Sequence, residues 1–140
     1  MILHFSYEEL TALKAGAHVF LEGGETQGGG VLAPPEDRAR VEALLSSLEG
    51  DVSLSTLEEL RTVEAAVIAI VERLRVEMES VVVATHAADE GAVAAYFDFA
   101  HAFIVSHRLG EMAAEMEALI ELMTGSPPTS RGVASFHFPD

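Results

Sequence analysis

Asp98 and His101 stand three residues apart, and a carboxylate that orients an imidazole is what a general base or a metal ligand needs. At about 100° per residue, Glu90, Asp98, His101 and Arg108 fall along one side of a helix. The run His86 to Glu90 (HAADE) offers a second cluster, with His86, Asp89 and Glu90 at helical spacing. Neither cluster is complete. A zinc site takes three or four ligands, and a His–Asp pair that satisfies itself between helices leaves the same spacing. Asp89 is more simply the cap of the helix that follows. His107 falls in an apolar sector with Phe103 and Ala100, where a buried neutral imidazole with one hydrogen-bond partner is the simpler expectation. His4, His18 and His137 read as incidental.

The familiar catalytic patterns are missing. The chain contains no G-x-S-x-G, H-E-x-x-H, G-x-G-x-x-G or EF-hand loop, and no Glu-x-x-His pair of the kind that builds a di-iron bundle. Gly28, Gly29 and Gly30 lack both a preceding strand and a following Lys-Ser/Thr, so they read as linker rather than phosphate loop. No cofactor and no metal is expected, and no residue is assigned a catalytic role.

The elements that position these residues read as helices. Residues 1–5 look short and extended, and Ser6 with Glu9 forms a capping box opening a helix over 7–22. Leu10, Leu13, Ala17 and Phe20 give its buried stripe, and Gly23-Gly24 ends it. Residues 23–34 form a Gly-rich linker. A second helix starts at Pro34-Pro35, with Glu36 and Asp37 complementing its dipole, and stops at Gly50. Residues 51–55 read as a connection, and Ser55 with Glu58 as a second capping box. It opens a long amphipathic helix to about residue 84, with Leu60, Val67, Ile70 and Leu74 on its apolar side.

Residues 92–107 (AVAAYFDFAHAFIVSH) then form a helix with no Lys, Arg or Glu. Phe99, Phe103, Tyr96, Val93, Ile104 and Phe97 gather on one side and Ala94, Val105, Ala102 and Ala95 on the other, so this helix, apolar nearly all round, is expected inside a bundle or under a partner. A last helix over 109–124 uses Leu109, Met112, Met116, Leu119 and Met123. Its apolar phase differs from that of Val93, Phe97, Ala100 and Ile104, which predicts a bend or break over 106–110. Gly125 closes it, and a C-terminal extension over 125–140 ends in the strand-like run VASFHF. The two terminal runs are expected to pair with each other or with a neighbouring chain.

Composition limits the partners. The chain has 140 residues and no cysteine, with 23 acids against 8 bases, a net charge of −15 and Lys14 as its one lysine. That balance is wrong for nucleic acid and for an anionic membrane surface. A span of about 20 uninterrupted apolar residues is missing as well. The opening MILHFSYEEL carries no signal-peptide pattern, so a cytoplasmic protein is expected. Hydrophobic content of 49% in a single domain of this size implies that some apolar surface ends in an interface.

The expected architecture is a mainly α four- to five-helix bundle around a central antiparallel helical hairpin, with short terminal β-strands. The expected function is a non-enzymatic protein–protein interaction module: an acidic subunit, adaptor or immunity-like inhibitor that binds a protein partner or forms a homo-oligomer. Phe99, Phe103, Met112, Met116 and Met123 are its candidate interface, beside the like-charged pair Glu111 and Glu115. The alternative is a metal-binding or hydrolytic bundle that uses Asp98 and His101.

Overall fold

The computed structural model describes residues 1–22, 34–49, 51–85 and 90–125, with side chains as far as 81 in the third stretch. Ser6 and Glu9 cap each other reciprocally: the Glu9 amide donates to Ser6 Oγ at 3.1 Å and the Ser6 amide to Glu9 Oε1 at 2.9 Å. Two orphan amide donors are thereby satisfied, and α1 (Tyr7–Glu22) begins where the spacing predicts. Helix α2 (Pro35–Ser47) has Pro35 in its first turn and no side-chain cap, because a proline ring already fixes φ there. Helix α3 (Leu57–Thr85) is opened by Thr56, whose Oγ1 accepts from the Glu59 amide at 3.1 Å, while Glu59 Oε2 accepts from the Ser55 amide at 2.6 Å. The box therefore sits one residue later than the predicted Ser55–Glu58 pair. Leu57 is buried, and starting the helix there directs it into the core.

Helix α4 (Glu90–Thr124) runs through the segment where a bend or break was expected. It ends at Gly125, whose φ of 68° and amide bond to the Glu121 carbonyl at 2.8 Å stop the helix. The predicted break does not occur. Ala102, Val105, Leu109, Ala113 and Ile120 form one unbroken buried stripe, set on the opposite side from the aromatic one. Ala102 and Val105 belong to the second, smaller-residue apolar side of the sequence, and it is that side which faces the core.

Arg61 meets Glu117, Gly110 lies beside Glu64, and Ile68 borders Ser106. Ascending numbers on α3 thus meet descending numbers on α4, and the two form the central antiparallel hairpin. Their interface is the most extensive in the molecule; α1 packs on both, and α2 on α1 and α3. Leu13, Leu48, Leu60, Ile70, Leu109 and Ile120 are fully buried at the centre. Gly16 of α1 allows a close crossing, since a Cβ there would come within 2.4 Å of Ile70 Cγ2 and 2.8 Å of Leu74 Cδ1.

Strand β1 (Ile2–Leu3) pairs antiparallel with β2 (Val52–Ser53), Ile2 opposite Ser53 and Leu3 opposite Val52. The segment read as a plain connection is thus half of a ribbon, and its Val52 and Leu54 are buried with Leu3. The run over 133–138, expected as the partner of residues 1–5, lies outside the described residues, as does the linker over 23–33. Among the described residues, no helix is long and apolar enough to cross a membrane.

Candidate functional site

Because the small residues of α4 face inward, its large ones face out. Val93 is 52% exposed, Tyr96 60%, Phe97 54%, Phe103 43% and Ile104 52%. Helical spacing sets the rings in a ladder along the surface. Phe99 and Phe103 stack with centroids 5.7 Å apart, Phe103 and His107 lie at 4.6 Å, and Phe97 and His101 at 4.6 Å. His107 is therefore exposed at the end of an aromatic strip, rather than buried as the sector suggested. The strip continues toward the C-terminus past exposed Glu111 and Glu115 to Leu122 and Met123. Of the other expected interface residues, Phe99, Met112 and Met116 are half-buried and packed against the protein's own core.

The Asp98–His101 pair does not assemble as a relay. His101 Nδ1 lies 2.8 Å from the Phe97 carbonyl, so that nitrogen carries the proton and the imidazole is oriented by its own helix. Asp98 is half-buried; burial pushes its carboxyl above the ordinary value, and the nearby His101 works against that shift. Glu90 and Asp98 border a shallow hollow beside Val93, Ala94 and Phe97. Arg108, expected on the same side, turns away to Glu9 of α1. Among the described residues, no three His, Asp or Glu side chains converge to hold a metal ion. His86 and Asp89 lie outside the described residues.

A groove that sequence reasoning did not indicate, of about 530 Å³, runs between α2, β2 and the start of α3. Several of its polar groups are already engaged within the fold. Arg40 pairs with Asp37 at 3.0 Å, Ser47 Oγ donates to the Ala43 carbonyl, Thr62 Oγ1 donates to the Glu58 carbonyl, and Glu59 closes the cap. Catalytic and ligand sites need convergent free polar groups, and in this groove Arg40, Ser47, Thr62 and Glu59 are already spent.

The arginines of α3 are likewise committed. Arg61 binds Glu64 and Glu117, with hydrogen bonds to Glu117 and then Glu64 raising its pKa against burial. Arg73 pairs with Glu77, and Arg75 with Glu72 and Glu79. With a net charge of −15, the field around the fold is acidic. Compared with known proteins, the chain matches no family model, no curated protein and no solved structure.

Proposed function

We propose that this protein is a non-enzymatic interaction module, an acidic helical subunit, adaptor or inhibitor, whose docking surface is the outer face of α4. The observation that carries the reading is the continuous exposed strip of Val93, Tyr96, Phe97, Phe103 and Ile104. A monomer gains nothing by presenting three aromatic rings and two β-branched chains to water, and contiguous apolar surface of this kind is characteristic of interaction sites. Aromatic side chains are also the usual anchors of an interface. With its described ion pairs formed internally and a net charge of −15, the chain is poorly suited to nucleic acid or an anionic membrane. A protein partner in the cytoplasm fits the charge and the surface together.

The test is site-specific cross-linking in the cells that make the protein. A photoreactive phenylalanine analogue replaces Ile104 on the strip or, as a control, Glu72 on the exposed side of α3. The reading expects a discrete protein cross-link from position 104, of whatever mass, and none from position 72. Equal yields from both, or none from 104, overturn it.

A further inference from the structure

We propose that the outer face of α4 pairs with the same face of a second copy of this chain, antiparallel, about a two-fold axis passing near Phe103. The inference rests on the interaction reading above and names its partner.

Spacing is the first ground. Val93, Phe97, Ala100, Ile104 and His107 succeed one another at intervals of four, three, four and three residues, the seam of two helices lying side by side. Ala100 keeps the middle of the seam shallow, which lets helix axes approach closely.

Charge is the second ground, and it separates a second copy from a basic partner. A basic partner would be met by acids within the contact strip. This chain has 23 acids, yet from residue 91 to 107 its one acid is Asp98, half-buried in the hollow beside Val93 and Phe97 at the edge of the strip. A strip poor in charge between residues 91 and 107 of a strongly acidic molecule is what self-association requires, because like charges across a symmetric contact repel. Direction follows from the acids that do occur. In a parallel pair Glu111 and Glu115 would each face their own copies, whereas in the antiparallel pair about Phe103 they lie opposite Ala95 and Gly91 of the other.

Shape and area agree. A shallow groove lined by Ile68, His107, Gly110 and Ala114 flanks the strip on the α3 side. Tyr96 and Gly110 are equidistant from Phe103, so the proposed axis sets Tyr96 of each copy over the groove of the other. The exposed parts of the five strip residues and Ile68 amount to roughly 500 Å² of apolar surface, taking about 200 Å² for a whole aromatic residue. A standard interface covers about 800 Å² per partner, rather more than half of it apolar. The strip supplies that apolar share.

The test is the mass of the purified full-length protein by sedimentation and native mass spectrometry across the micromolar range. Wild type is expected as a dimer. Phe103→Glu and Phe103→Lys, at an exposed position where helicity and melting should be retained, are each expected to dimerise at least about 100-fold more weakly, since a charge is pressed against its own copy and an apolar surface. Mixing the two variants is expected to restore a dimer holding one of each. A monomeric wild type, a variant that dimerises undiminished, or a mixture that fails to pair overturns the inference. Hydroxyl-radical footprinting of Tyr96 and Phe97 then identifies what replaces it. Protection in a monomer assigns the strip to the chain's own residues 126–140. Reactivity in a monomer leaves the strip to a different protein, and the cross-link from position 104 decides the interaction reading separately.

Discussion

Arg108 of α4 grips Glu9 of α1 with both ends of its guanidinium, Nη1 to Oε2 at 2.9 Å and Nη2 to Oε1 at 3.1 Å. The same Glu9 carboxylate closes the α1 capping box, and Arg108 Nη2 also reaches the His4 carbonyl at 3.3 Å. One bidentate pair thus ties the N-terminal segment, α1 and α4 together at a buried acid.

Burial pushes the Glu9 carboxyl up, but the hydrogen bonds from Arg108 and Ser6, with the charge of Arg108, outweigh it and hold the pKa below the ordinary 4.5. An acid with a depressed folded-state pKa adds stability above its unfolded value and loses it as pH falls through the folded one. Urea unfolding followed below pH 4.5 should therefore show the wild type weakening as the pH drops. Glu9→Gln should flatten that dependence and cost about 1–3 kcal/mol at pH 7, from the lost cap and the unpaired Arg108.

Gly16→Ala carries the opposite sign from the one helix propensity implies. In an open helix the change would stabilise by about 1 kcal/mol. Here the added methyl meets Ile70 and Leu74 at 2.4 and 2.8 Å. Overpacking of this kind costs about 1–3 kcal/mol, so thermal melting should show a net loss. An unchanged or raised Tm would mean that α1 and α3 do not cross this closely.

The position of the α3 cap separates two neighbouring residues. Thr56→Ala should cost about 1 kcal/mol, the usual value of a lost N-cap, because Thr56 Oγ1 receives the Glu59 amide. Ser55→Ala should stay within about 0.5 kcal/mol, since Ser55 contributes only its backbone amide to that box. Denaturant midpoints of the two variants read the register of the cap directly.

Continuity of α4 is tested near its end. Ile120 is fully buried and Leu122 is the most exposed large apolar residue. Ile120→Ala should cost about 2–5 kcal/mol by leaving a cavity; Leu122→Ala should be close to neutral. A reversed order would show that the helix turns at Gly110 after all.

For Asp98 the sign is reversed relative to Glu9. Burial raises its carboxyl above the ordinary 3.8, against the pull of His101, so the charged form is disfavoured in the fold. Asp98→Asn should raise the melting temperature slightly at pH 7, and the gain should shrink as the pH falls through the raised folded value toward 3.8. A clear loss of stability at pH 7 would reveal a favourable partner for the carboxylate that the described residues do not include.

The helix boundaries set by local caps and stops were readable from residue types, since these act over three or four residues, whereas the α3 cap lies one residue later than predicted and the boundary expected over 106–110 is absent. Ser6 with Glu9, Pro35 in a first turn and Gly125 at a C-terminus each satisfy or remove a local hydrogen bond, whatever the rest of the chain does. The inward side of α3 was equally legible, because its apolar side holds large residues and its other side holds charges. Three things required the tertiary structure. Residues 1–3 found their partner in Val52 and Ser53, a pairing across some fifty residues that two-residue strands cannot announce. Arg108, grouped by helical spacing with Asp98 and His101, was drawn instead to a buried carboxylate on another helix. Most of all, the sequence contains two apolar sides of α4, one aromatic and one of alanine, valine and leucine, and hydrophobicity alone favours the aromatic side for the core. Packing decided otherwise: where α3 and α1 close on α4, the buried stripe begins with Ala102 and Val105 and continues through Leu109 and Ala113, leaving the larger rings outside, and that inversion is what created the surface proposed here for binding.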